Sequence, residues 1–174
     1  MTGAVTFDAT TFEIWGALLN GLTLVIADES DLLDSHRLEQ LLSENAISIL
    51  WLTSPLFNIL THQNPSLFQS LRVLMVGGEV LLPEHINIVR NACPNLTIIN
   101  GYGPTENVTF STTHLINKEY RERIPIGSPI ANSLVYIVDK YCHLLPPGIP
   151  GELCVGGDGL ARGYLNDPVL TNSK

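Results

Sequence analysis

Asn100-Gly101-Tyr102-Gly103-Pro104-Thr105-Glu106 follows the apolar run Leu96-Thr97-Ile98-Ile99 and precedes a second apolar, β-branched run. An exposed loop with two glycines, an aromatic ring, a proline, a hydroxyl and a carboxylate can bring backbone close to a ligand, stack a base and help hold a divalent metal. Glycine and proline also build ordinary turns, so these residue types alone leave a structural turn and a ligand loop both open.

Upstream of this stretch, short apolar runs alternate with helical patterns. Thr10 followed by Glu13 has the spacing of a capping box and opens a helix over about 11–20, ended by Asn20-Gly21. Leu22 to Ala27 is short, apolar and β-prone and reads as a buried strand; Asp28 to Asp34 reads as a loop, and helix resumes over about 35–45 with Leu38, Leu41 and Leu42 on one face. Ile47 to Leu52 is the next strand, and Ser54-Pro55 fits a cap followed by proline at the first helical position. An amphipathic piece over Pro65 to Ser70 leads to the strand Val73 to Val76, which ends in Gly77-Gly78-Glu79; Pro83 opens a helix to about Ala92, and a strand follows over 96–99. Repeated strand, loop and helix units with apolar strands predict an α/β fold with a mostly parallel sheet covered by helices, its ligand-bearing loops at the strand C-termini. After Glu106 the character changes to short strands over Thr109–Thr113, Ser133–Asp139 and Glu152–Val155, separated by turns. Residues 1–123 therefore read as an α/β portion, and 124–174 as a β-rich portion with the start of a following helix.

The 174 residues can bury a substantial core, and 45% hydrophobic with 15% charged residues excludes a disordered chain. With 9 basic against 17 acidic residues and a net charge of -8, a nucleic-acid backbone is a poor partner, although a local site can still attract a small anion. Cys93, Cys142 and Cys154 are odd in number, lack metal-ligand spacing and read as buried thiols of a reduced cytoplasmic protein. His36, His62, His85, His114 and His143 likewise show no ligand spacing and read as surface or satisfied structural residues. No targeting segment and no apolar run of spanning length is present, so no membrane partner is expected. Val5 to Asp8 reads as the end of a strand running into a site and Pro168 to Lys174 as a helix just beginning, the pattern of a piece of a longer chain.

Three segments carry a family resemblance. Phe7 to Leu18, Asn100 to Glu106 and Gly151 to Leu165 resemble, in order, the fourth, fifth and sixth core motifs of nonribosomal peptide synthetase adenylation domains, relatives of the acyl-CoA ligases and luciferases. The resemblance implies the multi-subdomain adenylate-forming fold, of which this chain covers the middle of the large N-terminal subdomain. It also implies an enzyme that uses ATP and Mg²⁺ to make an aminoacyl adenylate and pass the acyl group to the phosphopantetheine thiol of a peptidyl carrier domain, with condensation domains as neighbours. The family's Ser/Thr/Gly-rich phosphate loop, its ribose-binding aspartate and its C-terminal subdomain with the catalytic lysine are not found in these residues, so the 174 residues alone are expected to be inactive.

The same resemblance implies roles by position. Asp8 accepts the substrate's α-ammonium, where the residues alone equally allow a helix cap. Asp8, Ala9, Phe12, Trp51, Met75, Gly77, Gly101, Thr109 and Phe110 surround the substrate side chain, with Phe12, Trp51 and Met75 as apolar walls and Gly77 and Gly101 leaving space; individually the three large residues could be plain core. The pattern resembles valine-activating domains, with isoleucine and other small branched aliphatics next. Gly77, Gly78 and Glu79 form the adenine-side loop, Asn100 and Gly101 lead into it, Tyr102 packs against adenine, and Gly103, Pro104 and Thr105 shape the turn and contact phosphate. Thr105 and Glu106 serve catalysis, Glu106 as the Mg²⁺ carboxylate. Gly156, Gly157 and Gly159 set the β-rich part against the nucleotide side, and Arg162 either positions that part or forms a structural ion pair. A fatty- or aryl-acid ligase, a non-catalytic nucleotide-binding module and a nonfunctional truncated product are the competing readings; an acid without an ammonium would leave Asp8 unpaired.

Overall fold

Leu50-Trp51-Leu52 and Leu74-Met75-Val76 are apolar at every position, which requires cover on both faces of the strands that contain them. The computed structural model, which describes residues 1–174, provides it. In chain order the elements are helices α1 (Ala9–Leu18), α2 (Glu29–Leu32) and α3 (Ser35–Glu44), strand β1 (Ile49–Thr53), helix α4 (Ser54–Gln63), a 3₁₀ turn (Pro65–Phe68), strand β2 (Val73–Gly77), helix α5 (Pro83–Ala92) and strand β3 (Thr97–Tyr102). Then come β4 (Thr112–Leu115), β5 (Ser128–Pro129), β6 (Ser133–Val138), β7 (Glu152–Gly157) and helix α6 (Pro168–Ser173). One sheet has the order β1-β2-β3-β4-β5; β1, β2 and β3 are parallel, whereas β4 and β5 join antiparallel. β6 and β7 form a separate antiparallel pair. No helix is long and apolar enough to cross a membrane.

Alternation along the parallel strands separates two cores. Leu50, Leu52, Leu74, Val76 and Ile98 belong to the large core, with Leu38, Phe57, Leu60, Ile86 and Val89 from α3, α4 and α5. Trp51 and Met75 belong to a small separate cluster with Phe110, against which Ala9 and Phe12 of α1 pack. The α3 start is capped by Asp34, whose carboxylate accepts from the amides of His36 at 2.9 Å and Arg37 at 3.2 Å. Those two bonds, with the Arg37 amide contributing more, hold the Asp34 carboxyl below the ordinary aspartate range.

Several local expectations are corrected. The Thr10/Glu13 capping box does not form: Thr10 Oγ1 donates to the Phe7 carbonyl, and the buried Glu13 carboxylate accepts from the amides of Thr2 at 2.6 Å and Gly3 at 3.1 Å. A buried carboxylate needs donors, and those two amides supply them. Leu22 to Ala27 is not a strand; a cleft of about 370 Å³, lined by Leu24 and Val25 together with Ile49 and Trp51, stands where its ladder with β1 would be. Ser54 is the first residue of α4, not its cap, and its Oγ donates to the Val80 carbonyl at 3.4 Å. The span Asp28 to Asp34 contains the single turn α2, and of the three cysteines only Cys93 is buried.

Candidate functional site

Parallel register places Trp51 opposite Met75 and Met75 opposite Ile99, and two residues on it places Thr53 opposite Gly77 and Gly77 opposite Gly101. These positions share one face, at the C-terminal ends of the strands. Phe110 returns across that face after the loop that follows β3. Its ring makes edge contacts with Trp51 at 5.1 Å between centroids and with Phe12 at 5.5 Å, the spacing of favourable aromatic pairs. The glycines are what allow this approach. A Cβ on Gly101 would stand 2.7 Å from Phe110 Cε1, and one on Gly77 would stand 2.0 Å from the Gly101 carbonyl oxygen. The room expected at Gly77 and Gly101 is therefore taken up by the Phe110 ring and by the neighbouring strand.

Asp8 stands at the entrance to α1 beside this cluster. Its Oδ2 accepts from the Thr109 amide at 3.0 Å, and Thr109 Oγ1 donates to the Asp8 carbonyl at 2.9 Å. Asp8 occupies the N-cap position of α1, but its side chain makes no cap bond there and turns to Thr109 instead. Thr109 holds a left-handed backbone with φ of 60°, uncommon outside glycine, and this turn is what aims its amide at Asp8. The bond joins positions 101 residues apart and ties the first motif segment to the chain just after the second. Asp8, Ala9, Phe12, Trp51, Met75, Gly77, Gly101, Thr109 and Phe110 thus form one contiguous group with a single carboxylate and no other charged side chain.

On the other side of β3, the loop expectation changes. Asn100, Gly101 and Tyr102 are still strand. Asn100 is buried and donates through Nδ2 to the Pro125 carbonyl at 2.9 Å, while the Tyr102 ring is half-buried. Gly103 folds tightly onto the return segment, since a Cβ there would meet the Thr109 carbonyl oxygen at 2.5 Å. Pro104 is half-buried, and Thr105, Glu106, Gly78 and Glu79 are exposed.

The Glu106 backbone carbonyl accepts from the Ala161 amide at 2.7 Å, and its side-chain Oε1 accepts from the Tyr164 hydroxyl. That hydroxyl, followed by the backbone amide of Glu106, holds the carboxyl below the ordinary glutamate range, and the same bond pushes the phenol up. Glu106 is accordingly anionic near neutral pH. No group of three His, Cys, Asp or Glu side chains is arranged to hold a metal. A lone exposed carboxylate suits Mg²⁺, a hard cation that retains waters and takes its remaining oxygens from phosphates. The sequence alone assigns Tyr164 no role; it falls inside the third resembling segment, but no pattern links it to a carboxylate 58 positions away.

The family described as AMP-binding enzyme matches residues 2–165. The chain is 58% identical over 173 residues to gramicidin S synthase 2 of Brevibacillus brevis, covering 99% of this chain and 4% of that protein. It is 59% identical over 173 residues to tyrocidine synthase 3 of Brevibacillus parabrevis, covering 99% of this chain and 3% of that one. The solved structure of PA1221, a nonribosomal peptide synthetase protein containing adenylation and PCP domains, superposes with a TM-score of 0.93 at 40% identity over 98% of this chain and 35% of its own. The chain spans a small part of the curated relatives it matches. It belongs to the AMP-binding enzyme family, and within that family to the adenylation domains of nonribosomal peptide synthetases.

Proposed function

We propose that this chain forms the substrate-selecting and nucleotide-facing part of a domain that activates valine, or another small branched aliphatic amino acid, for nonribosomal peptide synthesis. The observation that carries the reading is a single carboxylate, Asp8, set beside an otherwise apolar cluster of Phe12, Trp51, Met75 and Phe110. An amino-acid zwitterion entering such a site needs an anion for its ammonium and apolar contact for its side chain. Asp8 commits Oδ2 to Thr109, which fixes the carboxylate and leaves Oδ1 for the substrate.

In this reading an oxygen of the amino-acid carboxylate attacks the α-phosphorus of ATP. The bond from that phosphorus to the oxygen bridging toward the β-phosphate breaks, and pyrophosphate carries away the electron pair. Glu106 would hold Mg²⁺ through an ionised oxygen, and the ion when bound would neutralise phosphate charge. Tyr102 packs against adenine beside the exposed Gly78-Glu79 turn, Asn100 and Gly101 carry the strand to it, and Gly103, Pro104 and Thr105 shape the phosphate-side turn. Orientation and fixed charge supply most of the acceleration. The acyl group then passes from the adenylate to the phosphopantetheine thiol of a carrier domain, releasing AMP, with condensation domains as neighbours. We assign residues 1–123 to the α/β portion and 124–174 to the β-rich portion, and place the protein in the cytoplasm, where ATP and unpaired thiols coexist. The phosphate loop and catalytic lysine that the family requires are assigned to segments outside these 174 residues, so the short chain is inactive alone.

Amino-acid-dependent ATP–pyrophosphate exchange tests this, with the 174 residues compared with the same sequence inside a complete adenylation domain. Exchange in the complete domain, strongest with valine, supports the reading. Equal exchange with aspartate or lysine overturns the apolar pocket, and exchange by the short chain overturns its dependence on outside segments.

A further inference from the structure

We propose that Tyr164 is the positioning residue for the Glu106 carboxylate: its hydroxyl occupies Oε1 and leaves Oε2 as the single oxygen through which Glu106 meets the cation. The inference rests on the metal role proposed above for Glu106 and adds the residue that sets its geometry.

A surface tyrosine touching a surface glutamate ordinarily does little, because both side chains lose rotamer freedom to make the contact. Here the backbone around both ends is already fixed. On the Glu106 side, the Ala161 amide donates to the Glu106 carbonyl at 2.7 Å and the Val108 amide donates to the Gly159 carbonyl at 3.0 Å. Asn107, between them, bridges to Leu160 and is itself buried, its Nδ2 donating to Ser111 Oγ at 2.8 Å. Residues 159–161 are therefore strapped across residues 106–108.

On the Tyr164 side, the amide of Tyr164 donates to Thr171 Oγ1 at 2.9 Å, and that hydroxyl donates to the Asp167 carbonyl at 2.9 Å. Asp167 in turn caps α6 by accepting from the Leu170 amide at 2.9 Å. Gly163 has φ of +141°, and a Cβ there would lie 2.6 Å from Thr171 Cγ2, so the chain can turn Tyr164 toward Glu106 only with glycine at that position. Tyr164 is held at both backbone flanks, its carbonyl accepting from the Asp167 amide at 3.2 Å, so its hydroxyl reaches Glu106 with little further ordering. A carboxylate that would otherwise rotate freely at the surface is confined to one orientation. Such confinement lowers the cost of holding a cation with a single protein oxygen.

The test uses the complete adenylation domain and its Tyr164→Phe variant, which removes one oxygen and keeps the ring. Mn²⁺ stands in for Mg²⁺, and its binding is titrated by electron paramagnetic resonance in the presence of a non-hydrolysable α,β-methylene ATP analogue. Losing one hydrogen bond predicts a rise of about 3- to 10-fold in the apparent Mn²⁺ Kd. In exchange assays the Mg²⁺ requirement rises similarly, while the KM for the amino acid stays within about 2-fold. Glu106→Ala raises the Mn²⁺ Kd more, and adding Tyr164→Phe to it changes nothing further, because the phenol then has nothing to orient. A Tyr164→Phe variant with unchanged Mn²⁺ Kd, or an equal effect of Tyr164→Phe with and without Glu106, overturns the positioning role. If Glu106→Ala itself leaves Mn²⁺ binding unchanged, the proposed metal role of Glu106 fails, and with it the ground for this one.

Discussion

Substituting Gly101 by alanine tests whether the small aromatic cluster is as tightly closed as the strand register implies. The new Cβ would lie 2.7 Å from Phe110 Cε1 and 2.9 Å from Cδ1. Carbon atoms rest at about 3.5–4.0 Å, so the ring must retreat by about 1 Å. It has little room to do so: Trp51 is 5.1 Å away and Phe12 is 5.5 Å away between centroids. Overpacking of this kind costs about 1–3 kcal/mol, while replacing a strand glycine by alanine returns about 0.5–1 kcal/mol of backbone entropy. A net loss of about 1–2 kcal/mol lowers Tm by about 2–8 °C in a chain of this size. Thermal unfolding followed by tryptophan fluorescence, to which the buried Trp51 contributes, measures it. The cost should shrink by about 1 kcal/mol when Phe110 is already leucine, since the smaller side chain can yield. An unchanged Tm for Gly101→Ala, or the same loss in both backgrounds, would refute the argument that Phe110 fills the space above Gly101.

Asp8→Asn keeps an oxygen that can accept from the Thr109 amide but removes the charge; in pyrophosphate exchange by the complete domain the amino-acid KM should rise about 10- to 100-fold with the ATP KM within about 2-fold. His85 is buried against His62, with Nε2 atoms 2.8 Å apart, and burial followed by the His62 charge pushes its pKa below the ordinary range. The unfolded chain then binds a proton that the folded chain refuses, so stability falls as pH drops below about 6.5 and levels off below the folded value; denaturant midpoints from pH 8 to 5 should show this slope, and His85→Gln should flatten it. Asp34→Ala removes both amide bonds at the start of α3 and should lower Tm in thermal unfolding, whereas Asp34→Ser should recover most of the loss.

The parallel sheet was legible because its strands are short and apolar and the first two are followed by proline-led helices, and the helix expected from Pro83 to about Ala92 is found over Pro83–Ala92. What could not be read were features that depend on partners distant in sequence. Thr10 and Glu13 carry the spacing of a capping box, yet Glu13 answers to the amides of Thr2 and Gly3, a tertiary demand that local spacing does not encode. Leu22 to Ala27 has strand composition but no partner strand, and composition alone does not make a ladder. In the candidate site, the residues were named by motif and the parallel register of the structure groups them, but their interactions could not be read. The bond from Thr109 to Asp8 depends on a left-handed threonine, and the hydroxyl on Glu106 arrives from a segment whose glycines suggested only turns.

The division of the sheet into two faces bears on how sharply such a site can select. Leu50, Leu52, Leu74 and Val76 are locked into the large core, so the strand positions cannot shift without disturbing it. Trp51 and Met75 project from the same strands and inherit that rigidity, and Phe110 is then wedged between Trp51 and Phe12 above Gly101. A wall that cannot retreat rejects a side chain one methylene too long by overpacking, and the steric penalty adds to the transfer difference. Against a shorter side chain such as that of alanine, the same wall offers only lost contact, about 1–3 kcal/mol for each missing carbon. Discrimination should therefore be asymmetric. With valine as the proposed substrate, leucine and phenylalanine should be excluded more strongly than alanine, and Phe110→Leu should relax the first exclusion while leaving the second almost unchanged. Exchange rates for the three amino acids, measured as kcat/KM in the complete domain and its Phe110→Leu variant, decide the matter: equal relaxation toward alanine and leucine would mean that Phe110 is not the wall that sets the depth of the pocket.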